Sequence, residues 1–134
     1  MNVEKINENV KQGKAALKSA VAANWPGPKV LIVDDDLTDQ SVIEKAFEAQ
    51  GIIAVSVPEV GMAHRIINDM DPDFIILDID GVPCFREIVN GHRSKTVVFS
   101  GSVTADDVFG GVMNAFNKTD IREMVSFVKK IALG

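Results

Sequence analysis

From Lys29 onward, short apolar runs alternate with stretches whose apolar residues recur every three or four positions. Lys29–Val33 (KVLIV) is nearly all apolar, the pattern of a strand buried on both faces. Thr38–Gln50 carries Val42, Ile43, Ala46, Phe47 and Ala49 at helical spacing, and Gly51 ends it. Ile52–Val57 reads as a second strand, and Pro58 opens a helix in which Met62, Ile66 and Ile67 share a face. Phe74–Leu77 (FIIL) predicts a third strand, Phe85–Val89 a short helix and Thr96–Phe99 a fourth strand. A second short helix over Thr104–Phe109 and a fifth strand over Val112–Phe116 follow. Asp120 is placed to cap a last helix whose Ile121, Met124, Val125, Val128 and Ile131 face inward. The fold class is therefore α/β: a doubly wound, five-stranded parallel sheet with shortened third and fourth helices. Right-handed crossovers give the strand order 2-1-3-4-5.

Residues 2–24 read as an extra, N-terminal helix. Val3, Ile6, Val10, Gly13, Leu17 and Ala20 form one stripe at 3-4 spacing, and Asn24-Trp25-Pro26-Gly27-Pro28 stops it. The expected organisation is a helical extension and linker over residues 1–28 and a compact domain over residues 29–134. The stripe is too short and Ala-rich to stand alone in water. It either packs on the domain as a lid or serves as a coiled-coil or partner-binding arm, and the second option implies a homodimer through this helix.

Charge and composition narrow the function classes. The chain has 134 residues with 14 Lys and Arg against 19 Asp and Glu, a net charge of −5, which argues against a nucleic-acid-binding face. No apolar run approaches the roughly 18 residues that span a bilayer. The first ten residues carry acids and lack the apolar centre of a secretory signal. Cys84 is the single cysteine, so no internal disulfide forms. A cytoplasmic protein with neither membrane nor nucleic-acid partners is expected. His64 and His92 have no neighbours at zinc-ligand spacing.

In sheets of this kind, ligands bind beyond the carboxyl ends of the strands, where strand order reverses. Asp34, Asp35 and Asp36 follow the first predicted strand, Asp78 the third, Ser100 the fourth and Lys118 the fifth. With strands 1 and 3 adjacent, three or four carboxylates meet on one rim. Two carboxylates about 4 Å apart repel by roughly 4 kcal/mol at an effective dielectric of 20. A divalent cation with hard oxygen ligands, Mg²⁺ foremost, removes the conflict. A carboxylate nucleophile, a metal, an ammonium and a hydroxyl together suit phosphoryl transfer, which rests on positioning and charge neutralisation. Asp78 would attack phosphorus to form an aspartyl phosphate, while Ser100 and Lys118 would each hold a phosphoryl oxygen.

The succession VDDD, FIILD, VVFSG and FNK resembles the receiver domain of two-component response regulators, over about residues 29–132. The resemblance implies a flavodoxin-like fold and a role in two-component or phosphorelay signal transduction. It implies that Asp34 and Asp35 hold Mg²⁺ together with Asp78 and the backbone carbonyl of Asp80. It makes Asp78 the phosphoacceptor, served by a histidine kinase or histidine phosphotransfer protein, Ser100 the switch hydroxyl and Lys118 the family's lysine. Catalysis is then limited to the chain's own phosphorylation and dephosphorylation, and with no room for an effector, output passes to a downstream protein partner. Asp36 has no family role and is placed to cap a helix.

Four departures stand out. The proline of Ile79-Asp80-Gly81-Val82-Pro83 comes one place late, and Thr119 replaces the proline that normally follows the lysine. The spacings from Asp78 to Ser100 and from Ser100 to Lys118 are short, and Ala115 occupies the place of the family's aromatic switch residue. These departures motivate an alternative, a receiver-like module that binds partners without phosphorylation. A second alternative is a haloacid dehalogenase-type phosphatase, whose DxDG motif Asp78-Ile79-Asp80-Gly81 matches. In that family the acidic pair comes last, whereas here it comes first, and only 56 residues follow Asp78. Asp80 is placed to orient a water for self-dephosphorylation.

Overall fold

The computed structural model describes residues 14–101, 112 and 114–134. Residues 14–23 form helix α1. They are followed by β1 (Lys29–Val33), α2 (Leu37–Glu48), β2 (Ile53–Val57), α3 (Val60–Met70) and β3 (Phe74–Leu77). Then come α4 (Phe85–His92), β4 (Thr96–Ser100), β5 (Asn114–Asn117) and α5 (Ile121–Leu133), with 3-10 turns at Arg93–Lys95 and Lys118–Asp120. The predicted helix over Thr104–Phe109 lies outside the described residues. The fifth strand, expected over Val112–Phe116, runs over Asn114–Asn117, starting two residues later and ending one residue later. The helix expected over Phe85–Val89 continues to His92, yet at 8 residues it remains shorter than α2, α3 and α5.

All strands pair in parallel, in the order β2-β1-β3-β4-β5 that the crossovers predict. Successive side chains on a strand point to opposite faces, and each face has its own core. Leu31, Val33, Val55, Val57, Ile75 and Leu77 pack under α3 and α4, meeting Ala63, Ile66, Met70 and Ile88. Val30, Ile32, Phe74, Ile76, Val97 and Phe99 pack under α2 and α5, meeting Ile43, Phe47, Met124 and Val128.

The helix ends follow local chemistry, with one correction. Asp36 caps α2 by accepting a hydrogen bond from the Asp39 N–H at 2.9 Å. Gly51 follows that helix with φ +76°, a left-handed conformation that glycine adopts at no steric cost. Asp120 occupies the N-cap position of α5, but its side chain makes no capping bond. The chain reaches α5 through a 3-10 turn instead, and the Asn117 carboxamide accepts from the Thr119 N–H at 3.1 Å at its start.

Helix α1 packs on the domain, along the outer strand β2. Ala15, Ser19 and Ala22 are buried. Lys18 Nζ donates to Glu44 at 2.7 Å, to Glu48 at 2.9 Å and to the backbone carbonyl of Ala54 in β2 at 3.1 Å. The described part of the predicted stripe therefore does not face the domain: Leu17 is 73% exposed and Ala20 is exposed, as is the neighbouring Val21 at 59%. Close approach to a strand edge selects small side chains on the inner face and a donor for the edge carbonyl. Val3, Ile6, Val10 and Gly13 lie outside the described residues. Among the described residues, no helix is long and apolar enough to cross a membrane.

Burial lowers the basicity of Lys18, but its bonds to Glu44 and Glu48 outweigh that effect and leave its pKa raised above 10.5. A raised lysine pKa stabilises the fold below 10.5, and the contribution is lost as pH climbs through the higher folded value. Lys18→Met should cost about 1–2 kcal/mol by urea unfolding near neutral pH, as expected for lost charge-assisted hydrogen bonds. The gap to wild type should close above pH 10.5.

Candidate functional site

Strand register builds the site. β1 and β3 pair with Val33 opposite Leu77, so Asp34 and Asp78 leave the sheet side by side. β4 and β5 pair with Ser100 opposite Asn117, so Lys118 leaves one residue beyond the serine. Strand β1 lies between β2 and β3, which places this rim at the reversal of strand order. Asp34 and Asp78 are 1% and 4% exposed and Ser100 is fully buried, so their polar groups must be satisfied inside the rim.

The Lys118 ammonium does much of that work. Its Nζ lies 2.9 Å from Asp34 Oδ2, 2.9 Å from Asp78 Oδ2 and 2.6 Å from Asp39 Oδ2. Burial would lower the lysine pKa, but the three carboxylates more than offset it and raise it. Asp34 shows the opposite balance. Burial pushes its carboxyl up to about 6, the Asp36 N–H and Lys118 pull it back only in part, and the Asp78 charge adds to the rise. The Asp34 backbone carbonyl is held by the Gln40 carboxamide at 2.6 Å.

On the far side of Asp78, the Ser100 hydroxyl lies 2.9 Å from Asp78 Oδ1 and 2.6 Å from Asp80 Oδ2. The Asp80 N–H donates to Asp78 Oδ1 at 3.0 Å. Asp80 thus reaches the site through its N–H and its carboxylate. Asp34, Asp35 and Asp78 each offer a carboxylate oxygen within 4.8 Å of the others. Three hard oxygen donors this close fit a small divalent cation. Gly81 lies so near Asp35 that a Cβ on it would overlap the carboxylate.

All the residues singled out in the sequence meet here, with Asp36 one step aside as a helix cap. Two participants were missed. Asp39 sits in the first turn of α2 and its only sequence signal is proximity to the acidic run. Gly81 carries no signal beyond its place after Asp80, because its role is a close backbone approach.

Solved structures share this architecture. A response regulator from Thermotoga maritima superposes with a TM-score of 0.67 at 19% identity, over 81% of this chain and 99% of that one. The fold is that of a receiver domain. A CheY-like receiver domain protein from Methanospirillum hungatei JF-1 gives a TM-score of 0.67 at 17% identity, over 79% of this chain and 94% of that one. The BeF3-activated N-terminal receiver domain of Klebsiella pneumoniae RstA gives 0.66 at 18% identity, over 78% of this chain and 97% of that one. In sequence, 53 residues are 30% identical to the aerobic respiration control protein ArcA of Escherichia coli K12, 40% of this chain. That match spans 22% of the length of ArcA. No family model matches the chain.

The raised Asp34 carboxyl has a measurable consequence. An acid whose folded pKa is raised contributes stability that is full below 3.8, its ordinary value, and is lost as pH rises through about 6. In metal-free buffer, Asp34→Asn should therefore raise Tm by a few degrees at pH 7.5 and give no gain at pH 4.5. Thermal unfolding at the two pH values checks both signs.

Proposed function

We propose that this chain is a response-regulator receiver that accepts a phosphoryl group on Asp78 from a phosphohistidine donor, either a histidine kinase or a histidine phosphotransfer protein. One observation carries the proposal: the buried Asp78 carboxylate lies between the Ser100 hydroxyl and the Lys118 ammonium, each at 2.9 Å. In the transfer, one Asp78 oxygen bonds to phosphorus as the phosphorus–nitrogen bond of the donor breaks, and the departing imidazole keeps the electron pair and takes a proton. Lys118 and Ser100 then donate to two phosphoryl oxygens. Asp34, Asp35 and Asp78, with the backbone carbonyl of Asp80, would hold Mg²⁺, which supplies positive charge against the phosphoryl oxygens. The Asp80 carboxylate orients a water when the acyl phosphate is hydrolysed.

In the same proposal, residues 1–28 are an extension and linker and residues 29–134 the receiver. The protein acts in the cytoplasm on phosphoryl donors and a downstream protein partner, and it turns over no separate substrate. The exposed Leu17 and Val21 on α1 are the surface through which a homodimer would form. Phosphorylation adds close to two negative charges beside Ser100 and Lys118 and draws both inward.

Incubation with acetyl phosphate and Mg²⁺, read by intact mass, tests the assignment. Wild type should gain one phosphoryl mass and Asp78→Asn none, with Lys118→Ala labelled at least about tenfold more slowly, a loss of roughly 1.4 kcal/mol in the transition state. No gain on wild type beside a competent receiver supports docking without phosphorylation. Label on Asp78→Asn moves the acceptor elsewhere.

A further inference from the structure

We propose that Asp39 is a positioning residue for Lys118 that restrains phosphoryl uptake, holding the ammonium until a phosphoryl oxygen competes for it. This inference rests on the phosphoryl-acceptor function above. The Lys118 ammonium donates to Asp39 and Asp78 and makes an ion pair with Asp34 Oδ2 at 2.9 Å, so three carboxylates compete for it. Two of those carboxylates have other duties. Asp78 is the acceptor, and Asp34 belongs to the group of three acids that fits a cation. Asp39 belongs to neither, yet its contact is the shortest, at 2.6 Å. It joins α2 to the turn after β5 across 79 positions of sequence, so it fixes Lys118 from outside the acceptor group.

For Lys118 to donate to a phosphoryl oxygen, at least one of the three contacts must loosen. Asp78 Oδ2 and Asp34 lie beside the incoming group, and Asp39 is the partner left to pull the ammonium away. Its charge also repels the phosphoryl dianion. Restraint and repulsion have the same sign, so removing the charge should help phosphoryl binding. Asp39 is partly exposed, with its side chain 37% accessible, so an isosteric amide fits without strain.

Asp39→Asn keeps shape and an acceptor oxygen while removing the charge. Its Kd for beryllofluoride with Mg²⁺, by calorimetry, should fall about three- to tenfold below wild type at 0.1 M salt, where the screening length is about 10 Å. The gain should shrink below about twofold at 1 M salt, where that length is about 3 Å. Asp39→Glu should return Kd and its salt slope to the wild-type side. In metal-free buffer, a double-mutant cycle with Lys118→Met should show coupling between the two positions in thermal stability. An unchanged or weaker Kd for Asp39→Asn, a gain indifferent to salt, or additive stabilities would each overturn the inference while leaving the acceptor assignment intact. Wild type that binds no beryllofluoride overturns both.

Discussion

Five carboxylates, those of Asp34, Asp35, Asp39, Asp78 and Asp80, crowd onto one end of a sheet whose interior is apolar, and the Lys118 ammonium is held among three of them. The backbone cannot relieve this. Pairing of Val33 with Leu77 fixes the exits of β1 and β3 side by side, and the cores on both faces hold those strands. What can adjust is protonation, the position of one lysine side chain, and cation binding. Both pKa values are raised, which disfavours the charge on Asp34 and favours it on Lys118: burial penalises both charges, but only the lysine has enough partners to overcome it. Such a site is charged in excess of what its own fold neutralises, which suits it to a small divalent cation.

The opposite arrangement holds at the β2 edge. There Lys18 meets two glutamates on α2 and one carbonyl of the strand, so one cation seals an edge that would otherwise present bare backbone acceptors. The two lysines use similar chemistry for different ends. Lys18 completes a closed set at the surface, with α1 laid over it through alanine and serine. Lys118 sits among three carboxylates, one more than Lys18 has.

Strands β1 to β4 were legible because buried parallel strands leave continuous runs such as KVLIV and FIIL, and the polar residues that end them mark the rim without further information. β5 was less so: every one of its residues is only partly buried, so the run VMNAF has no sharp start. The facing of α1 could not be read from its pattern, because the larger apolar residues lie outward and small ones turn in, contrary to the usual amphipathic rule. The cap expected of Asp120 was lost to a 3-10 turn, which hydrophobic spacing does not encode. Asp39 and Gly81 join the site through distances across the fold, and no local pattern announces a tertiary distance.

The serine on the other side of Asp78 completes the electrostatic logic. A hydroxyl has one proton to donate, yet Ser100 Oγ is within hydrogen-bond distance of two carboxylates, at 2.9 Å and 2.6 Å. It can satisfy one of them at a time, so its direction depends on which oxygen carries more charge. Moving charge outward from Asp78, as the proposed phosphorylation would, changes that comparison directly. Lys118 faces the same choice among Asp34, Asp39 and Asp78. Both groups that flank Asp78 are therefore shared with a neighbouring aspartate, Asp80 on one side and Asp39 on the other. In the proposed function, a charge change at Asp78 would be answered first by these two shared donors.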